Sequence, residues 1–218
     1  ITGANSTGIS VEENATAVNR GTITLTSTQN SKENYGMISA GGERAQIDND
    51  GIINLNGYDY AASKEVGYGM SIGDGRANNN NTININRMYG YGMASTEGTL
   101  TNNGTINLTN GGYGIMGESG ESFNNKDATI TITGTPNMQN SYGMSMQDGT
   151  AKNFGQIDVT GGSVNSETYG ISVNGGNGLN HGLINMHSDN AFGLFDEGDG
   201  EITNVAGGTI NLYGNNSV

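Results

Sequence analysis

The chain has 218 residues, no Cys, no Trp and a single Pro, and its 21 Asp/Glu against 8 Lys/Arg give a formal charge of −13. Without Cys there are no disulfides, zinc–thiolate centres or thiol catalysis. The acidity works against nucleic acid and anionic lipid as partners, and no apolar run is long enough to span a bilayer. Leu, Ile, Val and Phe together number only 39, a level that by itself points toward disorder.

The order in which those residues occur overrules the composition. Taken along the chain, an aromatic-Gly-aliphatic triplet recurs around Gly8, Gly36, Gly69, Gly92, Gly114, Gly143, Gly170 and Gly193. Tyr precedes the glycine at 35, 68, 91, 113, 142 and 169, Phe192 does so in the last copy, and Thr7 in the first. After each triplet comes an Asn at 19, 49, 79, 102, 125, 153, 180 and 204, then an apolar pair: Ile23/Leu25, Ile53/Leu55, Ile83/Ile85, Ile106/Leu108, Ile130/Ile132, Ile157/Val159, Ile184/Met186 and Ile210/Leu212. A repeat of 22 to 33 residues between triplet glycines marks a solenoid. The i, i+2 spacing of each pair puts both side chains on one face of a strand, and no stretch keeps a helical period. By the same alternation Tyr68, Met70 and Ile72 share a face, as do Tyr169, Ile171 and Val173, so Tyr and Met are expected to add bulk to a narrow lumen. The expected fold is all-β: a parallel β-helix of about eight coils, with short strands and variable loops on one side, roughly 35–40 Å long at ~4.8 Å per coil.

The glycines and asparagines are read from the same register. The Asn column is expected to form an inward ladder at a corner; the alternative is that Asn simply suits turns. The Gly two residues later, at 21, 51, 104, 155, 182 and 208, is expected to take a left-handed backbone, with Asn81 in its place as the natural substitute. Ala128 fits that poorly, and the longer spacings Asn125–Ile130 and Asn204–Ile210 predict altered turns there. The triplet Gly is placed on the outer face by alternation, where it serves either a bulge or positive φ, or a bare strip for close packing.

The tandem Gly-Thr-Ile-x-Leu phrases, the Asn before them, the absent Cys and the acidic Gly/Asn-rich composition resemble the passenger domains of type V autotransporters. The Tyr-Gly-Met/Ile variation is most similar to the large fusobacterial-type adhesins. The resemblance covers the whole chain and implies a right-handed β-helix displayed outside the Gram-negative outer membrane by a C-terminal β-barrel elsewhere in the parent chain. It also implies a role in virulence and cell adhesion toward host-cell glycans or receptor proteins, or toward other bacterial surfaces. Residues 1–218, which start without Met and end soon after a strand, are expected to be a single segment of a longer passenger domain.

Binding is expected in the connectors that follow the last strand of each coil, long at Ser27–Asn34, Asn56–Gly67, Gly134–Ser141 and Thr160–Thr168, and short at Asn86–Gly90 and Thr109–Gly112. Long connectors flanking short ones would leave a saddle. Within the longest, Tyr58, Asp59 and Tyr60 combine aromatic rings with a carboxylate, the mix that sugar sites use; the alternative is a tyrosine packed on its own coil. Asp196, Glu197 and Asp199 lie among glycines and offer oxygens to calcium, although the spacing is not that of an EF-hand and a solvated acidic turn explains it equally. A polysaccharide-active, pectin-lyase-like enzyme is the second functional reading. Against it, the carboxylates and the basic residues fall on differing phases, and neither His181, at a turn, nor His187 has a Ser or Asp partner at a matching phase. A purely structural spacer is the third.

Overall fold

The computed structural model describes residues 1–28, 31–58, 65–134, 140–161 and 166–218. Within them 25 strands and no helix occur, arranged as three parallel sheets of nine, eight and eight strands. Each coil contributes one strand to a triplet sheet, one to an asparagine sheet and one to a closing sheet, in that order. The ninth strand of the closing sheet, Thr2–Gly3, precedes the first triplet and pairs with Thr22–Ser27.

Like residue lies over like residue. In the closing sheet Ile23, Ile53, Ile83, Ile106, Ile130, Ile157, Ile184 and Ile210 follow one another in register. From Ile53 to Ile184 each is fully buried, as are Met37, Met70, Met93, Ile115, Met144 and Ile171 of the triplet sheet. Ile47, Ala77, Leu100 and Ala151 complete the lumen from the asparagine sheet. A tube this thin needs only one or two apolar side chains per strand, which is why a composition poor in Leu, Ile, Val and Phe still folds.

The inward asparagine ladder is present. Asn19, Asn49, Asn79, Asn102, Asn124, Asn153 and Asn180 each donate Nδ2–H to the Oδ1 of the next member, the last to Asn204, at 2.8–2.9 Å. The fifth member is Asn124, not Asn125. The expectation went astray because Phe123, two residues before Asn125, looks like the apolar partner. In the structure Ser122 points inward and Phe123 outward. Asn125 instead opens a turn, Asn125–Ala128, closed by Ala128 N–H to Asn125 O at 3.0 Å, with Asp127 at φ 68. The coil-eight corner repeats it: Gly208 N–H donates to Val205 O at 2.8 Å, with Gly207 at φ 96. The two unusual spacings are thus the same two-residue enlargement of one corner.

The glycine of the ordinary corner is not left-handed; no member of that series has positive φ. Its cause is proximity. A Cβ on Gly51 would stand 2.0 Å from Gly21 O, and one on Gly104 2.0 Å from Asn81 O. Stacked corners bring backbone onto backbone, so the missing side chain matters and the dihedral does not.

The triplet glycine is inward, not outward, and this moves the tyrosines. In strand Glu33–Ser39, Asn34, Gly36, Met37 and Ser39 are buried while Tyr35 and Ile38 are half-buried. Two consecutive residues, Gly36 and Met37, therefore face the lumen. The ladder skips the glycine, pairing Tyr35 with Tyr68 and then Met37 with Met70. This is a bulge-like slip of phase repeated in every coil, with φ not positive. A Cβ on Gly36 would meet Ile53 Cγ2 and Gly69 O at 2.5 Å. Tyr68 and Met70 consequently lie on opposite faces, and the tyrosine column is outside the tube.

Candidate functional site

Because the slip recurs in each coil, the tyrosines stack. Centroid separations from Tyr35 through Tyr68, Tyr91, Tyr113 and Tyr142 to Tyr169 are 4.5–5.0 Å with planes within 14°, and Phe192 continues the column at 5.3 Å. That separation is the spacing of adjacent strands, so the backbone imposes it. Each inner ring gives both faces to its neighbours, which leaves edges and hydroxyls for a ligand. A groove of about 320 Å³ runs beside Tyr35, Tyr68 and Tyr91, floored by Ser71 and Ala94.

Several of the phenols are held protonated. Burial, reinforced by Glu33, pushes Tyr35 up to about 12; burial, reinforced by Tyr91, does the same for Tyr68. Burial also raises Tyr113 and Tyr169. Tyr35 donates to Glu33 Oε2 at 2.9 Å, and Tyr169 donates to Glu167. Tyr35, Tyr68, Tyr113 and Tyr169 are therefore neutral hydroxyls throughout the physiological range. Tyr89 packs edge-on to Tyr91 and Tyr113 and donates to Asn140 O at 2.9 Å. It ties the floor of a short connector to the foot of a long one two coils on.

At the longest connector, Tyr58 is 53% exposed. Its backbone N–H donates to Glu65 Oε2 at 3.0 Å. Glu65 is fully buried, and its Oε1 accepts from Asn34 Nδ2 at 3.0 Å. Asn34 also donates to Ser27 and Ser31, so the connector closes over a buried polar knot. Asp59 and Tyr60 lie outside the described residues, as do positions 29–30, 135–139 and 162–165 of the other long connectors.

In the acidic turn, Asp196 Oδ1 accepts the N–H of Gly198 at 3.1 Å, while Glu197 and Asp199 are exposed. Among the described residues no group of three or more His, Asp or Glu side chains is placed to hold a metal ion. Carboxylates on the outer sheets are drawn into amide ladders: Asp158 accepts from Gln156 at 2.5 Å and from Asn185 at 2.7 Å, and Asp48 accepts from Gln46 and Asn78. Basic residues are dispersed, with Arg20 3.9 Å from Asp50 and Lys152 3.1 Å from Glu121.

Comparison with known proteins adds a family to this geometry. The model of the BigA third pectate lyase-like domain matches residues 1–117, just over half of the chain. The chain belongs to that family. No curated protein and no solved structure matches it. In this BigA-type domain the matched part covers the first four coils and the triplet strand of the fifth, Gly112–Gly117. The tyrosine column runs through the matched part and beyond it. "Pectate lyase-like" describes a relation of fold, and the stacked parallel coils are that fold.

Proposed function

We propose that this BigA-type β-helix is a segment of a bacterial cell-surface adhesin, at once stalk and display surface, binding host-cell glycans or receptors or the surface of other bacteria. The observation that carries the reading is the unbroken like-over-like stack. It makes the coils interchangeable scaffold and concentrates variation in the connectors along one edge. The Tyr58 connector is a contact point of that edge. Family membership supports the reading, and the absence of Cys suits passage unfolded through an oxidising periplasm. Anchoring by a C-terminal barrel in the parent chain, and the fusobacterial affinity suggested by Tyr-Gly-Met, belong to the same proposal. Calcium at Asp196, Glu197 and Asp199 is a lesser element of it, tested by titrating the chain with calcium and reading the backbone amides of that turn.

The test is direct. Beads carrying the 218-residue chain are offered to host epithelial cells and to bacteria; specific retention, reduced by soluble chain, is expected. Retention no better than with bare beads supports a spacer. Release of reducing ends from acidic or neutral polysaccharides supports the enzyme reading in its place.

A further inference from the structure

The outermost side chains of the corner between the asparagine and closing sheets form a column of their own. It begins with Arg20 beside Asp50 and continues with Asn80, Asn103 and Asn125, each amide donating to the residue one coil earlier at 2.7–2.8 Å. In the next two coils the polar chain is replaced by Phe154 and His181. Their rings stack at 4.7 Å and 11°. Phe154 is 39% exposed, one of few large apolar side chains on the surface.

The enlarged corners stand on either side of this pair. The turn carrying Lys126 and Asp127 projects from the coil before Phe154, and the turn carrying Gly207 from the coil after His181. Two ordinary corners between two enlarged ones leave a notch of about 430 Å³, whose sheet side bears Thr129, Gln156 and Thr209. That volume lies in the range of small-molecule sites. Lys126 takes part in neither of the two ion pairs among the described residues.

We propose that this notch binds one neutral hexopyranose unit of a glycan, with Phe154 against the apolar face of the sugar. Gln156, Thr129 and the Lys126–Asp127 turn supply both donors and acceptors to its hydroxyls. An aromatic surface beside mixed donors and acceptors suits a ligand whose edge is all hydroxyl and whose face is C–H. A chain carrying −13 disfavours an anionic sugar. The site is separate from the connector edge and rests on the display-surface reading only in taking a glycan as the thing displayed to.

The ¹⁵N-labelled 218-residue chain is titrated with the methyl glycosides of galactose, glucose and mannose, with galacturonate as the acidic arm and N-acetyl-phenylalanine amide as the peptide arm. At least one neutral glycoside should shift amides confined to 126–129, 154–156 and 181–183. Phe154→Ala should weaken it by about tenfold or more, while Phe154→Tyr retains binding and Tyr58→Ala leaves it unchanged. Unperturbed amides in coils one to four report that the variants are folded. The proposal is overturned by absence of shifts in the notch, by equal binding in Phe154→Ala, or by preference for galacturonate or the peptide probe. Bead retention by cells, with no glycoside binding by the unsubstituted chain, overturns the notch and leaves the adhesin reading standing.

Discussion

Replacing Asn102 with Ala tests the inward ladder at its middle. Asn102 is fully buried; its Oδ1 accepts from Asn79 Nδ2 at 2.8 Å and Gly104 N–H at 3.3 Å, and its Nδ2 donates to Asn124 Oδ1 at 2.9 Å and Thr129 O at 3.3 Å. In the variant Asn79 keeps contacts to the carbonyls of Asn81 and Thr105. Asn124 Oδ1 and Gly104 N–H lose theirs in a corner too tight to admit water freely. One buried and one half-buried group left wanting, at about 1–3 kcal/mol for the first and less for the second, give an expected loss of roughly 1–4 kcal/mol. Asn125→Ala, one residue from the ladder and half-buried, removes an exposed amide contact to Asn103 and should cost under about 1 kcal/mol. Urea denaturation of both variants, with hydrogen exchange at the amides of residues 103 and 125, separates them. Equal midpoints for the two would refute the argument, because position inside the corner is the only difference it invokes.

Three further outcomes follow from the same geometry. Gly92→Ala places a Cβ 2.4 Å from Ile106 Cγ2 and 2.5 Å from Gly114 O, and should lower stability by about 1–3 kcal/mol or more; Gly21→Ala, with nothing within 4 Å, should be close to neutral in the same denaturation assay. Tyr35 and Tyr68 are raised from 10.0 to about 12, so the folded chain holds protons that the unfolded chain releases. Their stabilising effect is complete below pH 10 and is lost as pH rises through about 12. Absorbance at the tyrosinate band should accordingly show part of the tyrosine signal titrating late, together with alkaline unfolding; uniform titration at the ordinary value would contradict the stacked column. Glu65→Ala should open the buried knot with Asn34 and expose the Tyr58 connector to limited proteolysis, while Glu65→Gln, which keeps an acceptor, should be cut more slowly; indistinguishable cleavage would remove Glu65 as the anchor.

Much of the architecture could be read before any coordinates, for a simple reason. Parallel stacking maps each residue onto its counterpart one repeat later, so the Ile pairs of the closing strand, from Ile23 to Ile210, state their own register. Strand type, lumen and stacking direction come with them. Facing was another matter wherever strict alternation failed. Gly36 and its equivalents slip the phase by one residue, and a reading that counts by twos carries Tyr35 inward with Met37. Only the packed tube, with Ile53 and Gly69 O pressed on that glycine, turns the tyrosines out into a stack. Asn125, with Phe123 two places before it, satisfied the spacing better than Asn124, and the enlarged turn that reverses the choice is a property of the corner, not of either side chain. The notch at Phe154 and His181 has the same origin: His181 was visible as a turn position, but the depth around the pair exists only because two longer corners lie a fixed number of strand spacings away. The chain by itself determined what stacks on what, since that needs only periodicity; which way each side chain points, and what hollows lie between coils, depended on steric contacts that arise when neighbouring turns meet.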